Sequence, residues 1–491
     1  MNSRSVPGIR IRSANDAPIA PDGRFVLYWM TAFRRPYFNF SLQRAVELSV
    51  KLQKPLVVLE ALRCDYPWAC DRFHTFILQG MKCNHQAFQN TRIHYYPYVE
   101  TRLHSGKGLL KALSREASIV VTDDYPCFFL PNMIRAASRI CPVRLELIDS
   151  NGIIPLRSME QMFTTAYSFR RWLQKHLPDH IHCMPDADVL RVDRLPHREA
   201  LPNDIMAQWP PSTVHQLDEN ALPDFLNTLP INHAINPVNH MGGQPAACEK
   251  LSSFLNTLET CHLTRNHPDM DSTSQLSPYL HFGFISSHEI LNSVFQRESW
   301  SRNRLSKKVT GKASGFWGMT DGAEAFLEEL IVWREIGFNR CFMQENYDRY
   351  DTLPGWVRAT LSKHSTDQRP HDYEMAVFEN AKTHDSLWNA AQNQLVREGR
   401  IHNYLRMLWG KKILHWSKSP EAALSIMIEL NNRYALDGRD PNSYSGIFWV
   451  LGRYDRAWGP ERPVFGTVRY MSSQRTLKKV RVKEYIKRYA E

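Results

Sequence analysis

Two tryptophans stand seven residues apart in IHNYLRMLWGKKILHW (401–416), Trp409 and Trp416. An α-helix of 3.6 residues per turn returns them to one face about two turns along. Indoles so placed fill a core or line a path for charge, and spacing alone leaves both readings open. In DSTSQLSPYLHFG (271–283) hydroxyls gather just before Pro278, a residue favoured in a helix's first turn. Ser274 and Ser277 beside such a start either hold phosphate or cap a helix that holds nothing. Glu329 precedes Trp333 by four residues in EELIVWRE, which sets a carboxyl beside a flat ring on one helical face. That pair contacts a base-like ligand, or the carboxyl is satisfied by an arginine. Asp437 and Asp440 flank Arg439 in LDGRDPNSYSGIFW (436–449), a ligand-facing turn or a bare loop. Next, GRYDRAWGPERPVFGTVRYM (452–471) interleaves Arg453, Arg456, Arg462 and Arg469 with Tyr454, Trp458, Phe465 and Tyr470. Cations that meet phosphate and rings that stack on bases suit a nucleic-acid surface.

These residues need a scaffold. The first 150 positions alternate the apolar runs FVLYW (25–29), PLVVLE (55–60), IHYYPYV (93–99), SIVVTDD (118–124) and VRLELID (143–149) with amphipathic stretches such as FSLQRAVELSVKL. That βαβ series predicts an α/β domain with a doubly wound, parallel five-stranded sheet over 1–195. No dinucleotide or triphosphate glycine motif follows a strand, and SGKGLL (105–110) reads as a helix cap. Acidic turns in ALRCDYPW, TDDYPC and IDSNG suggest either a ligand crevice at the strand ends or ordinary turn chemistry. Residues 196–245, rich in Pro, Asn and Gly, read as a connector. Beyond them helical patterns dominate, predicting an all-α domain over 246–491.

Composition narrows the class. A net charge of +11 and a pI near 9.1 favour a polyanionic partner, and the terminal MSSQRTLKKVRVKEYIKRYAE concentrates the excess. No run approaches the ~18 apolar residues of a membrane span. The N-terminus has no apolar leader, so a cytoplasmic protein is expected. Nine cysteines without a C-x-x-C pair give no support to zinc, a cluster or a disulfide framework.

Taken in order, RNHPDMDSTSQLSPYLHFG (265–283), FLEELIVWREIGFN (326–339), KTHDSLWNAAQ (382–392), HNYLRMLWGKKILHW (402–416) and 430–471 resemble the class II cyclobutane pyrimidine dimer photolyases of the photolyase/cryptochrome family. The resemblance implies FAD in the helical domain, with the diphosphate near Ser274, Leu276 and Ser277. It sets Arg406 and Asp437 beside the isoalloxazine, Asn431 facing flavin N5, and Asp440 among the cofactor-binding residues. Trp388, Trp409 and Trp416 match the family's electron-transfer tryptophans, with a tyrosine or tryptophan oxidised at the outer end. Glu329, Trp333, Met407 and Trp449 match the dimer pocket. Arg456 and Arg469 match residues that fill the gap left when a lesion is flipped out of DNA. The resemblance implies a monomer, no membrane, and a second antenna chromophore of unspecified identity. Departures stand at Asn432, where Asp is usual, at Asn403 for Gly, at Tyr454 for His, and at Glu289 near an expected Arg. A cryptochrome-like photoreceptor without repair activity is the alternative; a flavin-free DNA-binding protein is a third reading.

Overall fold

A computed structural model describes residues 5–197 and 200–490. Residues 1–4, two positions of the expected connector and Glu491 of the basic terminus lie outside them. The chain packs as two compact units, one of Met1–Glu160, Leu177–Leu251 and Leu276–Ser293, the other of Gln161–His176, Ser252–Gln275 and Val294–Glu491.

The first unit holds a six-stranded sheet ordered β1-β6-β5-β2-β3-β4, with β1 Ile11–Ser13, β2 Phe25–Met30, β3 Leu56–Leu62, β4 His94–Val99, β5 Ala117–Asp123 and β6 Leu145–Ile148. Strands β2 to β6 are the five parallel strands expected. The sheet is mixed, not all-parallel, because β1 adds an antiparallel edge on β6. Three residues, IRS, are too few to show a periodic pattern.

Alternate residues of β2 serve opposite faces. Phe25, Leu27 and Trp29 pack with Leu109 and Leu113 of one helix and Ile134 of another. Val26, Tyr28 and Met30 pack with Phe40, Leu42 and Ala45 of α1 (Phe40–Leu52). Both faces are therefore covered, as the uninterrupted apolar runs required. Gly108 precedes the helix Leu109–Glu116 with φ +99°, the cap that SGKGLL predicts.

The acidic strand ends are turn chemistry. Asp123 accepts the Tyr28 hydroxyl at 2.9 Å and the amides of Thr31, Ala32 and Phe33 at 2.9, 2.7 and 3.0 Å. Asp124 is held by Arg12 and Arg157, and Asp149 accepts the Leu156 amide at 2.6 Å. These carboxylates shape loops.

The second unit is helical, with no named strand among its described residues. Its core gathers α2 (Ser386–Glu398), α3 (Asn403–Trp416), α4 (Pro420–Tyr434) and α5 (Pro441–Val450). Side-chain caps start three of them: Asp385 accepts the Trp388 amide, Ser419 that of Ala422, and Asp440 that of Ser443. Gly399, at φ +68°, ends α2 in the left-handed conformation that residues with a Cβ adopt at a cost.

Candidate active site and nucleic-acid interface

Trp388, capped into position by Asp385, is fully buried on α2 and lies between the two indoles of α3. Its ring is parallel to Trp409 within 5° at 6.5 Å between centroids, and meets Trp416 edge-on at 6.2 Å. Trp388 Nε1 donates to the Trp409 carbonyl at 3.0 Å, and Trp409 Nε1 donates to Gln392 Oε1 at 2.9 Å. The helical stripe of Trp409 and Trp416 is thus joined through an indole from another helix. All three are core residues, so packing and a ring path coexist.

Beyond Trp416 the series goes on to Tyr373, 5.9 Å away, and His384, 4.8 Å away. The Tyr373 hydroxyl stands 2.9 Å from His384 Nδ1. Burial, with His371 adding to it, lowers the His384 pKa. Sequence reasoning assigns neither a role: Tyr373 lies in no motif, and His384, though inside KTHDSLWNAAQ, carries no spacing signal of its own.

A second cluster sits where α4 turns into α5. Arg406 Nη2 of α3 reaches both carboxylate oxygens of Asp437, at 2.8 and 2.7 Å. Asp440 is buried, its cap to the Ser443 amide 2.7 Å long. Burial pushes its pKa up to about 7, the Ser443 amide, Arg334 and Arg406 opposing and Asp437 assisting. Asn431 donates to Ser443 Oγ at 2.7 Å and to Asn432 Oδ1 at 3.2 Å. Asn432 Nδ2 in turn donates to the Tyr444 hydroxyl at 3.0 Å; an Asp at that position has no N–H to give and can only accept from that hydroxyl. The departure at Asn432 therefore fits an internal network. Arg439, between the two aspartates, is buried and binds backbone carbonyls of Ala435 and Leu436, so it stabilises the turn and does not face a ligand.

Glu329 and Trp333 lie on a π-helical stretch, Glu328–Trp333, between helices Asp321–Leu327 and Arg334–Met343. The i, i+4 spacing predicted an ordinary α-helix; π turns recur at functional sites. Trp333 meets Trp449 of α5 at 4.3 Å, tilted 44°. Arg265 Nη1 is 2.7 Å from Glu329, so the carboxyl does have the arginine that the competing reading requires. Its side chain nevertheless remains 41% exposed. Surrounding protein raises the Glu329 pKa, with Arg265 pulling it down. Glu329, Arg265, Ser272, Thr273, Ser274 and Asn403 line one cleft. Asn403 thus stands at its wall, whereas Glu289 is satisfied elsewhere, by Gln244 and Cys248 at 3.1 and 3.4 Å in the α/β unit. Leu276 and Ser277 also belong to the α/β unit, Ser277 opening a helix of only five residues. Met407, on α3, is partly buried against the helical core.

Arg456 and Arg469 place their guanidinium carbons 5.2 and 5.5 Å from the Trp458 ring, which is 40% exposed. Arg462 lies over Tyr470 at 5.0 Å and Lys479 over Tyr404 at 5.8 Å. Arg462, Arg469, Arg475 and Lys479, with Tyr404, Trp458 and Tyr470, line a groove that has no acidic side chain among its described lining residues; Arg456 stands outside that lining. Arg453 does not join them: it is buried, 3.6 Å from the Phe448 ring, and bonds Thr352 Oγ1 at 2.6 Å. Its neighbour Tyr454 is buried too, accepting from Ser445 at 3.1 Å and edge-on to Trp449 at 5.7 Å. Among the described residues no cluster of metal ligands occurs, and no helix is long and apolar enough to cross a membrane.

The buried carboxyl pair, the half-buried guanidinium of Arg406 and the Asn431 amide form a donor and acceptor set suited to the polar edge of a flavin. His402 adds a buried imidazole whose two ring nitrogens have no hydrogen-bond partner among the described residues.

No protein-family model matches the chain. It is 32% identical over 484 residues to the deoxyribodipyrimidine photo-lyase of Methanothermobacter thermautotrophicus, covering 98% of this chain and 97% of that protein. It is 30% identical over 485 residues to the enzyme of that name from Potorous tridactylus, 96% and 82% of the two chains. With that of Oryza sativa subsp. japonica it shares 32% over 494 residues, 97% and 89%. Among solved structures, a bacterial class III photolyase from Agrobacterium tumefaciens superposes with TM-score 0.66 at 16% identity, over 95% of this chain and 86% of that one, a likeness of fold alone.

Proposed function

This chain belongs to the deoxyribodipyrimidine photo-lyase family, and from that premise we propose that it repairs cyclobutane pyrimidine dimers in DNA with light. The observation that carries the reading is the Trp333–Trp449 pair, two rings at 4.3 Å beside the exposed edge of Glu329. A dimer stacks and pairs poorly, so extruding it from duplex DNA costs less than extruding intact bases, and a paired aromatic wall receives its flat faces. Glu329 offers a carboxyl to the pyrimidine edge, and Met407 completes the apolar lining. Arg456 and Arg469, stiffened against Trp458, fill the space the lesion leaves and meet phosphate.

FAD, when bound and reduced, supplies the photoexcited electron that opens the cyclobutane ring. Arg406, Asp437, Asp440 and Asn431 hold its ring system, and Ser274, Leu276 and Ser277 its diphosphate. The protein orients the two partners, excludes water and sets the electrostatics. Trp409, Trp388 and Trp416 supply reducing equivalents from the protein, and Tyr373 ends the series. On oxidation of Tyr373 its phenolic proton passes to His384 Nδ1, 2.9 Å away, so the positive charge moves from the phenol to the exposed imidazole.

The residues that carry the likeness favour the class II subtype. The α/β region 1–195 takes the antenna role with a second chromophore, 196–245 connects, and 246–491 binds FAD and DNA as a cytoplasmic monomer. The test is direct. Purified protein reconstituted with FAD absorbs blue light and, reduced and illuminated, removes dimers from DNA; a colourless protein, or dimers intact after illumination, defeats the proposal.

A further inference from the structure

We infer that the loop 302–312 is a second phosphate contact, gripping duplex DNA outside the lesion pocket; the inference rests on the repair reading above. Residues 301–320 carry Arg302, Arg304, Lys307, Lys308 and Lys312 and no Asp or Glu. All five cations are exposed, and among the described residues none enters an ion pair. The Arg304 guanidinium donates to the Glu298 carbonyl at 2.9 Å.

A solvated basic loop kept for solubility needs no fixed shape, yet this one is tied down at both arms. Buried Glu324 accepts five successive backbone amides, Gly315 to Met319, at 2.8 to 3.4 Å. Gln174 accepts the Gly311 amide at 2.7 Å and donates to the Lys312 carbonyl at 3.0 Å. Arg170 donates to the Gly311 carbonyl at 3.0 Å. The Ser306 amide closes the base on the Phe316 carbonyl at 2.8 Å. Gly311, at φ +72°, lies so near Tyr167 that a Cβ there falls 2.7 Å from its ring. Backbone order is thus settled before any ligand arrives, and only lysine side chains remain to be immobilised on contact.

The bracing also reaches the site. Arg170, which holds Gly311, forms paired hydrogen bonds to Glu328, the residue next to Glu329, and Glu324 lies one helical turn before it. Cations presented by a loop braced, through Arg170 and Glu324, to the helical segment that leads into Glu329 and Trp333 suit an evenly spaced polyanion continuous with the lesion, the backbone of the flanking duplex.

The test substitutes Lys307, Lys308 and Lys312 together by alanine and measures binding to dimer-containing and lesion-free duplexes from about 50 to 200 mM salt. A control triple, Lys51→Ala, Lys107→Ala and Lys111→Ala, removes the same net charge from exposed positions of the α/β unit. The loop variant is expected to lose about tenfold or more on both duplexes equally. Its salt slope should flatten by about 0.9 per lost contact, roughly 2.7 in all, while the control retains wild-type binding. Unchanged affinity and slope, or an equal loss in the control, overturns the inference. If wild-type protein shows no preference for the dimer, the repair reading fails separately, and the lesion-free duplex still decides for or against the loop.

Discussion

The indoles of Trp388 and Trp409 lie parallel, 6.5 Å apart between centroids, though they come from different helices and are locked by a hydrogen bond from Trp388 Nε1 to the Trp409 carbonyl. Trp388 also contacts Trp416, whereas Trp409 and Trp416 have no ring contact with each other. Phenylalanine at 388 keeps most of the apolar volume and removes the readily oxidised ring. Trp388→Phe should therefore abolish flavin photoreduction from within the protein while leaving dimer repair intact once the flavin has been reduced chemically. Flash absorption with and without dithionite separates the two activities.

At the far end, Tyr373→Phe retains the ring against Trp416 and removes the O–H that faces His384. Oxidising equivalents then stop at indole. Transient spectra should show an indole radical where wild-type protein shows a tyrosyl radical, and the radical should recombine faster in the variant.

Trp449 bears on lesion recognition. It touches Trp333 at 4.3 Å and Tyr454 at 5.7 Å, so truncation opens the aromatic wall. Trp449→Ala should weaken binding of dimer-containing DNA by about 1–3 kcal/mol, the usual worth of base–aromatic stacking. Affinity for lesion-free DNA, set by phosphate contacts, should remain within a factor of two or so. Competition binding with the two duplexes measures the ratio.

The parts of this architecture that obey a period are legible in the sequence. Both-face burial wrote β2 as FVLYWM, and the helical periods of SLWNAAQNQLVREG and PEAALSIMIELNNRY marked two core helices, whereas Asp440, read as part of a turn or loop, caps a third. What escaped depends on three-dimensional meetings. Nothing local distinguishes Arg453, buried over Phe448, from exposed Arg456 three residues on, because a guanidinium's surroundings come from other helices. Tyr373 and His384 are eleven residues apart with no common spacing rule, and they meet only because the segment bearing Tyr373 folds over Trp416. The π turn through Glu329 and Trp333 likewise has no signature in EELIVW.

Asp440 should impart a pH dependence to the stability of the flavin-free protein. Its pKa is about 7 in the fold against an ordinary value of 3.8. The folded state thus holds the proton more tightly than the unfolded chain. Its stabilising contribution is complete below about pH 4 and is lost as pH rises through 7, at most roughly 4 kcal/mol by linkage. Asp440→Asn keeps an oxygen for the Ser443 amide and cannot ionise. Urea unfolding from pH 5 to 8 should give a flatter stability profile for this variant; identical slopes would place the proton elsewhere.

Gly337 tests how the same corner is assembled. It lies on the helix Arg334–Met343, and a Cβ built there comes 2.6 Å from the Pro441 carbonyl oxygen and 3.1 Å from the Asn442 amide nitrogen. Those neighbours are backbone, so no side chain can swing aside. Gly337→Ala gains about 1 kcal/mol of helix propensity, against an overpacking cost of about 1–3 kcal/mol, larger where the contact is backbone. The outcome should be net destabilisation, seen as a lower Tm. Since Pro441 follows the Asp440 cap directly, the displaced turn should also weaken FAD retention more than an equally destabilising change in the α/β unit. Comparing flavin release at matched stability distinguishes a local shift of the corner from a general loosening of the fold.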